Sequence, residues 1–450
     1  MSRSNRWIVV GGGASGLAAA FFLKQLGMDC EIVERSKTIG GRMGTLDLNG
    51  RSLDCGGKNI GRQYKLFRQF AASLGAHPFE YFGLNSSQVI NGQIKTFDSN
   101  SRWTSMLDLA RGASARDIVR FGKLLLHVKS DEANGYLDSP YFREIASQYD
   151  HLPVSHHFSP EFCRRIIRPM TVRMNGAEPD EVYMANLVSN VRMLLDTYEQ
   201  FKHGLEPLLH SFIDRYEVHV NTLAENLVVE NGRVTGVRVR DARGNAGELR
   251  GAGVILATPA PIAAELVKST VPGVSEQLQS VAYYPVTLIL AEYDKPVFSS
   301  TVRALVFDGH EPISNAGAYS VNDLHLVRYT YSGRTARDYM RTNVDAEALL
   351  RVGEAALSRH IPFDPRSRRR FVAKRFQHGL CAYTSHHGRF VERLNQERKT
   401  VAGLYLTGDY VQGASIEACF RSASACMDQL AKEQKAAPLN SATLQLQTRY

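Results

Sequence analysis

The first cluster of apolar positions is Trp7-Ile8-Val9-Val10, with the length and composition of a short buried strand. Glycines and small residues follow at 11–16. Over 14–26, Leu17, Ala18, Phe21 and Leu26 recur near helical spacing until Gly27 stops the helix. Residues 30–33 form a second strand-like run closing on Glu34, so the opening pattern predicts strand, helix, strand. Residues 114–129 predict a capped amphipathic helix with Ile118, Phe121, Leu125 and Val128 on one face and Arg116, Arg120, Lys123 and Lys129 around the remainder. From 217 to 258 the pattern turns to short strands at 218–220, 226–230, 234–240 and 254–257, and the Asn231-Gly232 step predicts a tight hairpin. Residues 403–409 predict a strand ending in Gly408 and Asp409, and Ser415 opens a helix running to about Leu430.

The candidate chemistry begins where the first strand meets the first helix. Gly11, Gly13 and Gly16, with Ala14 and Ser15 between them, form a GxGxxG turn in a complete βαβ unit. Gly11 permits the tight turn, Gly13 lets the backbone approach a pyrophosphate, and Gly16 lets helix and sheet pack closely. The helix amino terminus offers free N–H groups to the phosphates. Glu34, beside Arg35, accepts hydrogen bonds from ribose hydroxyls and would repel a 2′-phosphate. A second glycine-rich stretch follows, at Ile39-Gly40-Gly41-Arg42 and Leu53-Asp54-Cys55-Gly56-Gly57.

With these segments the sequence resembles the flavin-dependent amine oxidase superfamily, which includes monoamine and polyamine oxidases, protoporphyrinogen oxidase and the phytoene desaturases. The resemblance implies an α/β fold: a Rossmann-like FAD-binding domain of the GR2 type with an inserted α+β substrate-binding domain. It implies FAD as cofactor, Gly41 and Arg42 at the pyrophosphate or flavin, and Gly56, Gly57, Lys58 and Asn59 beside the isoalloxazine. Backbone near Ala224 would face the adenine. Gly408 and Asp409 would hold the ribityl or pyrophosphate region, and the helix opened by Ser415 and Ile416 would face the N1 edge, where its amino terminus stabilises the reduced ring.

The sequence departs from the amine oxidases of that family at two places. Leu288 stands about where their lysine lies, and of the two cage tyrosines only Tyr383 remains, because Ala414-Ser415-Ile416 offers no aromatic. Both departures move the reading toward the protoporphyrinogen oxidase and desaturase branches. Cys381 has the position of a covalent flavin link, with a buried free thiol as the alternative. Lys58 is placed to orient an acidic substrate or, if desolvated, to serve as a base; a surface ion-pair partner is the alternative.

The resemblance makes the FAD domain discontinuous, at 1–75, 210–282 and 395–435, with the substrate domain at 76–209 and 283–394 and a tail at 436–450. The chain of 450 residues is long enough for such a division. Its net charge of +9 is weak evidence for an anionic partner. Arg366, Arg368, Arg369, Arg370, Lys374 and Arg375 form a basic cluster without interleaved aromatics, so it reads as a solvated face and no nucleic-acid partner is expected. The basic helix at 114–129 is compatible with peripheral membrane contact, though core packing is the default. His156-His157 and His386-His387 lack ligand spacing, and no metal is expected. Six scattered cysteines, no signal-peptide core and no run near the ~18 apolar residues of a spanning helix lead to the expectation of a soluble cytoplasmic protein. The expected activity is two-electron oxidation of a small organic molecule, with hydride passing to flavin N5, a C–N bond as the target and O2 as acceptor. The alternatives are C–C dehydrogenation, flavin-dependent rearrangement or NAD(P)H-linked reduction, and a non-catalytic flavoprotein.

Overall fold

The computed structural model describes residues 6–98, 113–342 and 344–436. Apart from Ala436, the expected tail lies outside the described residues. The opening pattern folds as read: strand Trp7–Val10, helix Ala14–Gln25 and strand Cys30–Val33. These enter a five-stranded parallel sheet in the order Glu217–His219, Cys30–Val33, Trp7–Val10, Gly253–Leu256, Leu404–Leu406. Both faces of the central strand are buried, which is why it carries four apolar residues in a row rather than an alternation. Helix Ala14–Gln25 lies against helix Ile416–Ala436, and Phe420 stacks among Phe22, Phe67 and Phe70 at ring distances of 6.4, 5.4 and 5.0 Å. Glu417 accepts from the N–H groups of Leu66 and Phe67, both at 3.0 Å, and so caps helix Lys65–Leu74 from a distant part of the chain.

The predicted hairpin joins Leu223–Glu230 to Arg233–Arg240, with Asn231 and Gly232 at φ 50° and 73°, the conformation that a two-residue turn demands.

The largest sheet has seven strands, in the order Arg368–Tyr383, Ala282–Tyr293, Leu326–Tyr331, Asn315–Ala318, Ala304–Val306, Asn85–Ile90, Gln93–Asp98. Its side chains alternate between two environments. Ile289, Tyr329, Ala316 and Leu305 enter an apolar core with helix Ala346–Ser358, whereas Leu288, Thr330, Arg328 and Lys374 line an internal cavity. Register aligns them: Leu288 sits between Lys374 and Thr330, and Leu290 pairs with Arg328. A continuous helical stretch, from Pro160–Phe162 through a wide turn at Cys163–Ile167 into Arg168–Met174, forms the facing wall with Phe162, Pro169, Met170 and Arg173. Such widened turns concentrate at functional sites.

The amphipathic helix spans Ala115–Ser130, capped by Ser114 Oγ accepting from Asp117 N at 3.1 Å. Its buried face differs from the expected one: Phe121, Leu124 and Val128 are buried, whereas Ile118 is 48% exposed at the cavity rim. The rotation follows from Phe121, whose ring packs edge-on against Phe162. It also buries Asp117, which accepts from Ser159 N and Ser159 Oγ.

Candidate functional site

The glycine turn at the end of strand Trp7–Val10 is shaped by three different constraints. Gly11 has φ +107°, and a Cβ there would lie 2.9 Å from the Ala257 carbonyl. A Cβ on Gly16 would overlap the Gly11 carbonyl, so helix and turn touch only because this residue is bare. Gly13 is different. It is extended (φ −84°, ψ −174°), and a Cβ would meet nothing nearer than Gly41 Cα at 4.0 Å, so the missing side chain keeps open space in the groove. Glu34 closes the turn: its two oxygens accept from Gly12 N at 2.7 Å and Ser36 N at 2.8 Å, fixing a buried carboxylate at the groove's end.

The second glycine stretch is tied to the same turn. Gly40 N donates to Gly12 O at 2.8 Å, and Gly57 N donates to Arg42 O at 3.0 Å. The Arg42 guanidinium spans the groove to Asp409, with contacts of 2.5 and 3.1 Å, and Tyr283 OH donates to Asp409 Oδ1 at 2.6 Å. Burial disfavours the Arg42 charge, but the Asp409 carboxylate outweighs it and holds the guanidinium above its ordinary pKa. Ser415 Oγ accepts from Ala418 N at 3.1 Å and caps the start of the last helix.

These groups border a cavity of about 1750 Å³ that runs from Glu34, Arg35 and Ala224 past Gly13 and Arg42 to the open face of the seven-stranded sheet. Of the residues expected at a dinucleotide, all line it except Gly16 and Gly408. Gly16 stands behind the turn. Gly408 lacks a Cβ because one would overlap the Tyr410 ring, and its N–H donates to Ser422 Oγ at 3.3 Å.

Lys58 is only 4% exposed, so the surface alternative falls. Its Nζ donates to Gln200 Oε1 at 2.9 Å and to the Tyr319 carbonyl, and it lies 4.7 and 4.0 Å from the Phe82 and Tyr319 ring centres. Burial, then the neighbouring Arg328 charge, lowers its pKa to about 7, against the opposing pull of Asp54. An amine with a pKa near 7 exchanges its proton around neutrality, and its neutral form, while donating twice, keeps a lone pair free for a proton.

The expectation for Tyr383 is corrected. Its ring does not line the cavity but packs edge-on against His387 at 5.1 Å, because the long strand ends here with Tyr383 at φ +64° and turns the side chain into the core. His387 is itself buried, donates from Nε2 to the Tyr410 carbonyl at 2.7 Å, and is held neutral by burial with a pKa of about 4. Cys381 does line the cavity, fully buried, and burial followed by the Asp409 charge pushes its thiol well above the usual range.

The basic cluster at 366–375 divides. Arg366, Arg368, Arg369 and Arg370 pair with Asp364, Glu354, Asp294 and Glu292, whereas Lys374 reaches the cavity face of its strand. Arg173 and Arg328 join it there. Sequence reasoning missed both; the available signal was Arg328 and Thr330 at alternating positions of the otherwise apolar run 326–331. Among the described residues the one group with metal-ligating proximity is Glu31, Glu217 and His219, and Arg6 already pairs with Glu217 at 2.5 Å.

The chemistry of the groove fits FAD. Gly13 leaves a cradle that a Cβ would fill, and Asn59 Oδ1 and Thr258 Oγ1 are buried, cavity-lining and without partners. A parallel sheet with this cradle at its strand ends, opening into a second, sheet-lined chamber, defines an FAD-dependent oxidoreductase fold. The chain belongs to the flavin containing amine oxidoreductase family, whose model matches residues 14–428, and its cofactor is FAD. An L-amino-acid oxidase of Siganus canaliculatus is 35% identical over 99 residues, 21% of this chain and 19% of that protein. A carotenoid 3,4-desaturase of Haloarcula japonica is 36% identical over 76 residues, 17% of this chain and 15% of that protein. The flavin-containing amine oxidase B of Mus musculus is 28% identical over 127 residues, 25% of this chain and 24% of that protein, so the matches span less than a quarter of each relative. Putrescine oxidase bound to putrescine shares the fold with a TM-score of 0.72 at 16% identity, over 95% of this chain and 99% of that one. Cyclohexylamine oxidase from Brevibacterium oxydans shares it at 0.69 and 14%, over 96% and 100%. Among the described residues no helix is long and apolar enough to cross a membrane.

Proposed function

We propose that the protein removes two electrons from a small organic molecule bound between the seven-stranded sheet and the helical wall at 160–174. The observation that carries this reading is the continuity of the cavity, from the cradle at Gly13 to the sheet face at Leu288 and Arg328. When bound, FAD accepts the hydride equivalent at N5, and O2 is the acceptor that returns it to the oxidised state. The chain's own part is to hold the substrate, exclude water and manage a proton. Lys58, beside the glycine pair at 56–57, is the group placed to take that proton. In this reading residues 1–75, 210–282 and 395–435 hold the cofactor, and 76–209 and 283–394 hold the substrate.

C–N oxidation remains the first reading of the bond attacked. C–C dehydrogenation is the second, favoured by one observation: Tyr383 is turned away from the cavity and Leu288 faces it, so the polar equipment expected of an amine oxidase is missing there. A non-catalytic flavoprotein would not need a chamber that continues past the cofactor groove.

The test is anaerobic mixing of the flavin-loaded protein with panels of amines, amino acids and saturated precursors of conjugated alkenes. Bleaching of the flavin absorbance, with a product two hydrogens lighter, is expected, and imine or alkene decides the bond. Bleaching by NADH or NADPH alone would replace the proposal with a reductase, and a colour that nothing in the panels bleaches would leave the non-catalytic reading standing.

A further inference from the structure

The cavity's substrate end is cationic on both walls. Arg328 stands on the sheet, where Nη1 donates to Gly56 O at 2.8 Å beside the glycine pair at 56–57, while Nε is buried without a partner. Lys374 stands on the same face two strands away, across Leu288. Arg173 projects from helix Arg168–Met174 on the facing wall and holds only a neutral oxygen, Ser86 Oγ at 3.1 Å. Arg173 keeps accessible surface and lines the cavity.

None of the three has a carboxylate within ion-pair distance among the described residues, in a molecule where the arginines at 366 and 368–370 all have one. Asp54 is the nearest acid to Arg328 and Lys58 in charge terms, but it lies outside the cavity wall and its Oδ1 already accepts from Leu205 N at 2.9 Å. Arg328, whose Nε is buried without a partner, carries the cost of an enclosed charge with no counter-charge, whereas Lys374 is exposed. Burial and the Arg328 charge lower Arg173 to about 10, and Arg328 is itself lowered by burial. A chain does not gather such cations for stability, so the missing partner belongs to the ligand.

We infer that this cavity takes an organic anion carrying at least two carboxylates on an apolar skeleton, one held by Arg328 beside the flavin and another reached by Arg173 or Lys374. The lining favours carboxylates on an apolar skeleton over a phosphate: the cations share the cavity wall with Leu288, Met170 and Phe376 and are carried on side chains rather than on a helix amino terminus. A simple alkylammonium would enter against three like charges. This inference rests on the functional reading above and narrows its substrate.

The experiment is titration of the flavin-loaded protein with isophthalate, benzoate, inorganic phosphate and benzylamine, followed by perturbation of the flavin absorbance bands. Isophthalate is expected to bind about tenfold or more tightly than benzoate, with benzylamine weakest. Arg173→Gln and Arg328→Gln should each weaken isophthalate by about tenfold or more, and Arg173→Lys should restore most of the loss. Equal binding of benzoate and isophthalate, tighter binding of phosphate or benzylamine, or indifference to both glutamine variants would overturn the assignment. A variant that keeps its flavin spectrum while losing isophthalate isolates this inference from the cofactor reading, which would fail instead if no form of the protein took up FAD.

Discussion

Replacing either of two glycines by alanine should separate what holds the fold from what holds the cofactor. At Gly13 the backbone is extended and the nearest atom to an added Cβ is 4.0 Å away, so flavin-free Gly13→Ala should fold as before or gain about 0.4–1 kcal/mol from a less flexible unfolded chain. The same Cβ occupies the cradle, pushes a pyrophosphate off the helix amino terminus and forfeits charge-assisted hydrogen bonds worth about 1.5–3 kcal/mol, or roughly 10- to 100-fold in affinity. At Gly16 the added Cβ overlaps the Gly11 carbonyl, backbone against backbone, so the first helix must shift and the flavin-free protein should lose about 1–3 kcal/mol. Urea unfolding followed by circular dichroism measures the first quantity, and quenching of FAD fluorescence on titration measures the second. The reasoning is refuted if Gly13→Ala binds FAD as well as the parent protein, or if it destabilises the flavin-free protein as much as Gly16→Ala.

Two further outcomes follow from buried titratable groups. Lys58 is lowered from 10.5 to about 7, so the unfolded chain holds a proton that the folded one does not across that window, and its contribution to stability is lost as pH falls from the lysine range to about 7 and is level below. Lys58→Met should therefore exceed the parent in urea stability below neutrality, with the gap closing toward alkaline pH, and a rate of flavin reduction that rises through about pH 7 should lose that limb; a constant gap would contradict the assignment. Cys381 is fully buried and its thiol is held far above the usual range, which suppresses the thiolate needed to attack a flavin, so acid precipitation should release the yellow colour into the supernatant and Cys381→Ala should retain FAD. Colour left in the pellet would show the covalent link instead.

The cofactor half of the molecule was legible because its constraints are local. A tight turn, a close helix and an acid at the next strand end all fall within the first fifty residues, and each demands a residue type at a fixed offset. The substrate half is built from register. Arg328 and Lys374 share a wall because both flank strand Ala282–Tyr293, a fact of pairing that no spacing along the chain records. The ion pair between Arg42 and Asp409 joins residues 367 positions apart, and only the resemblance suggested both ends. Tyr383 misled for the opposite reason: its place in the sequence was right for a cavity residue, but a left-handed backbone at the strand's last residue redirects the ring. Ile118 illustrates the same limit, since helical spacing names a face but the partner helix chooses which edge of it is covered.

The alternation of the seven-stranded sheet divides labour at single-residue resolution. Ile289, Tyr329 and Leu305 answer to the packed core, while Leu288 and Thr330, their immediate neighbours along the chain or across the sheet, face the chamber. A lineage changing its substrate can therefore rewrite chamber-facing positions such as these while the intervening ones hold the scaffold still. Diversification and stability are thus carried by the same few strands without competing for the same residues.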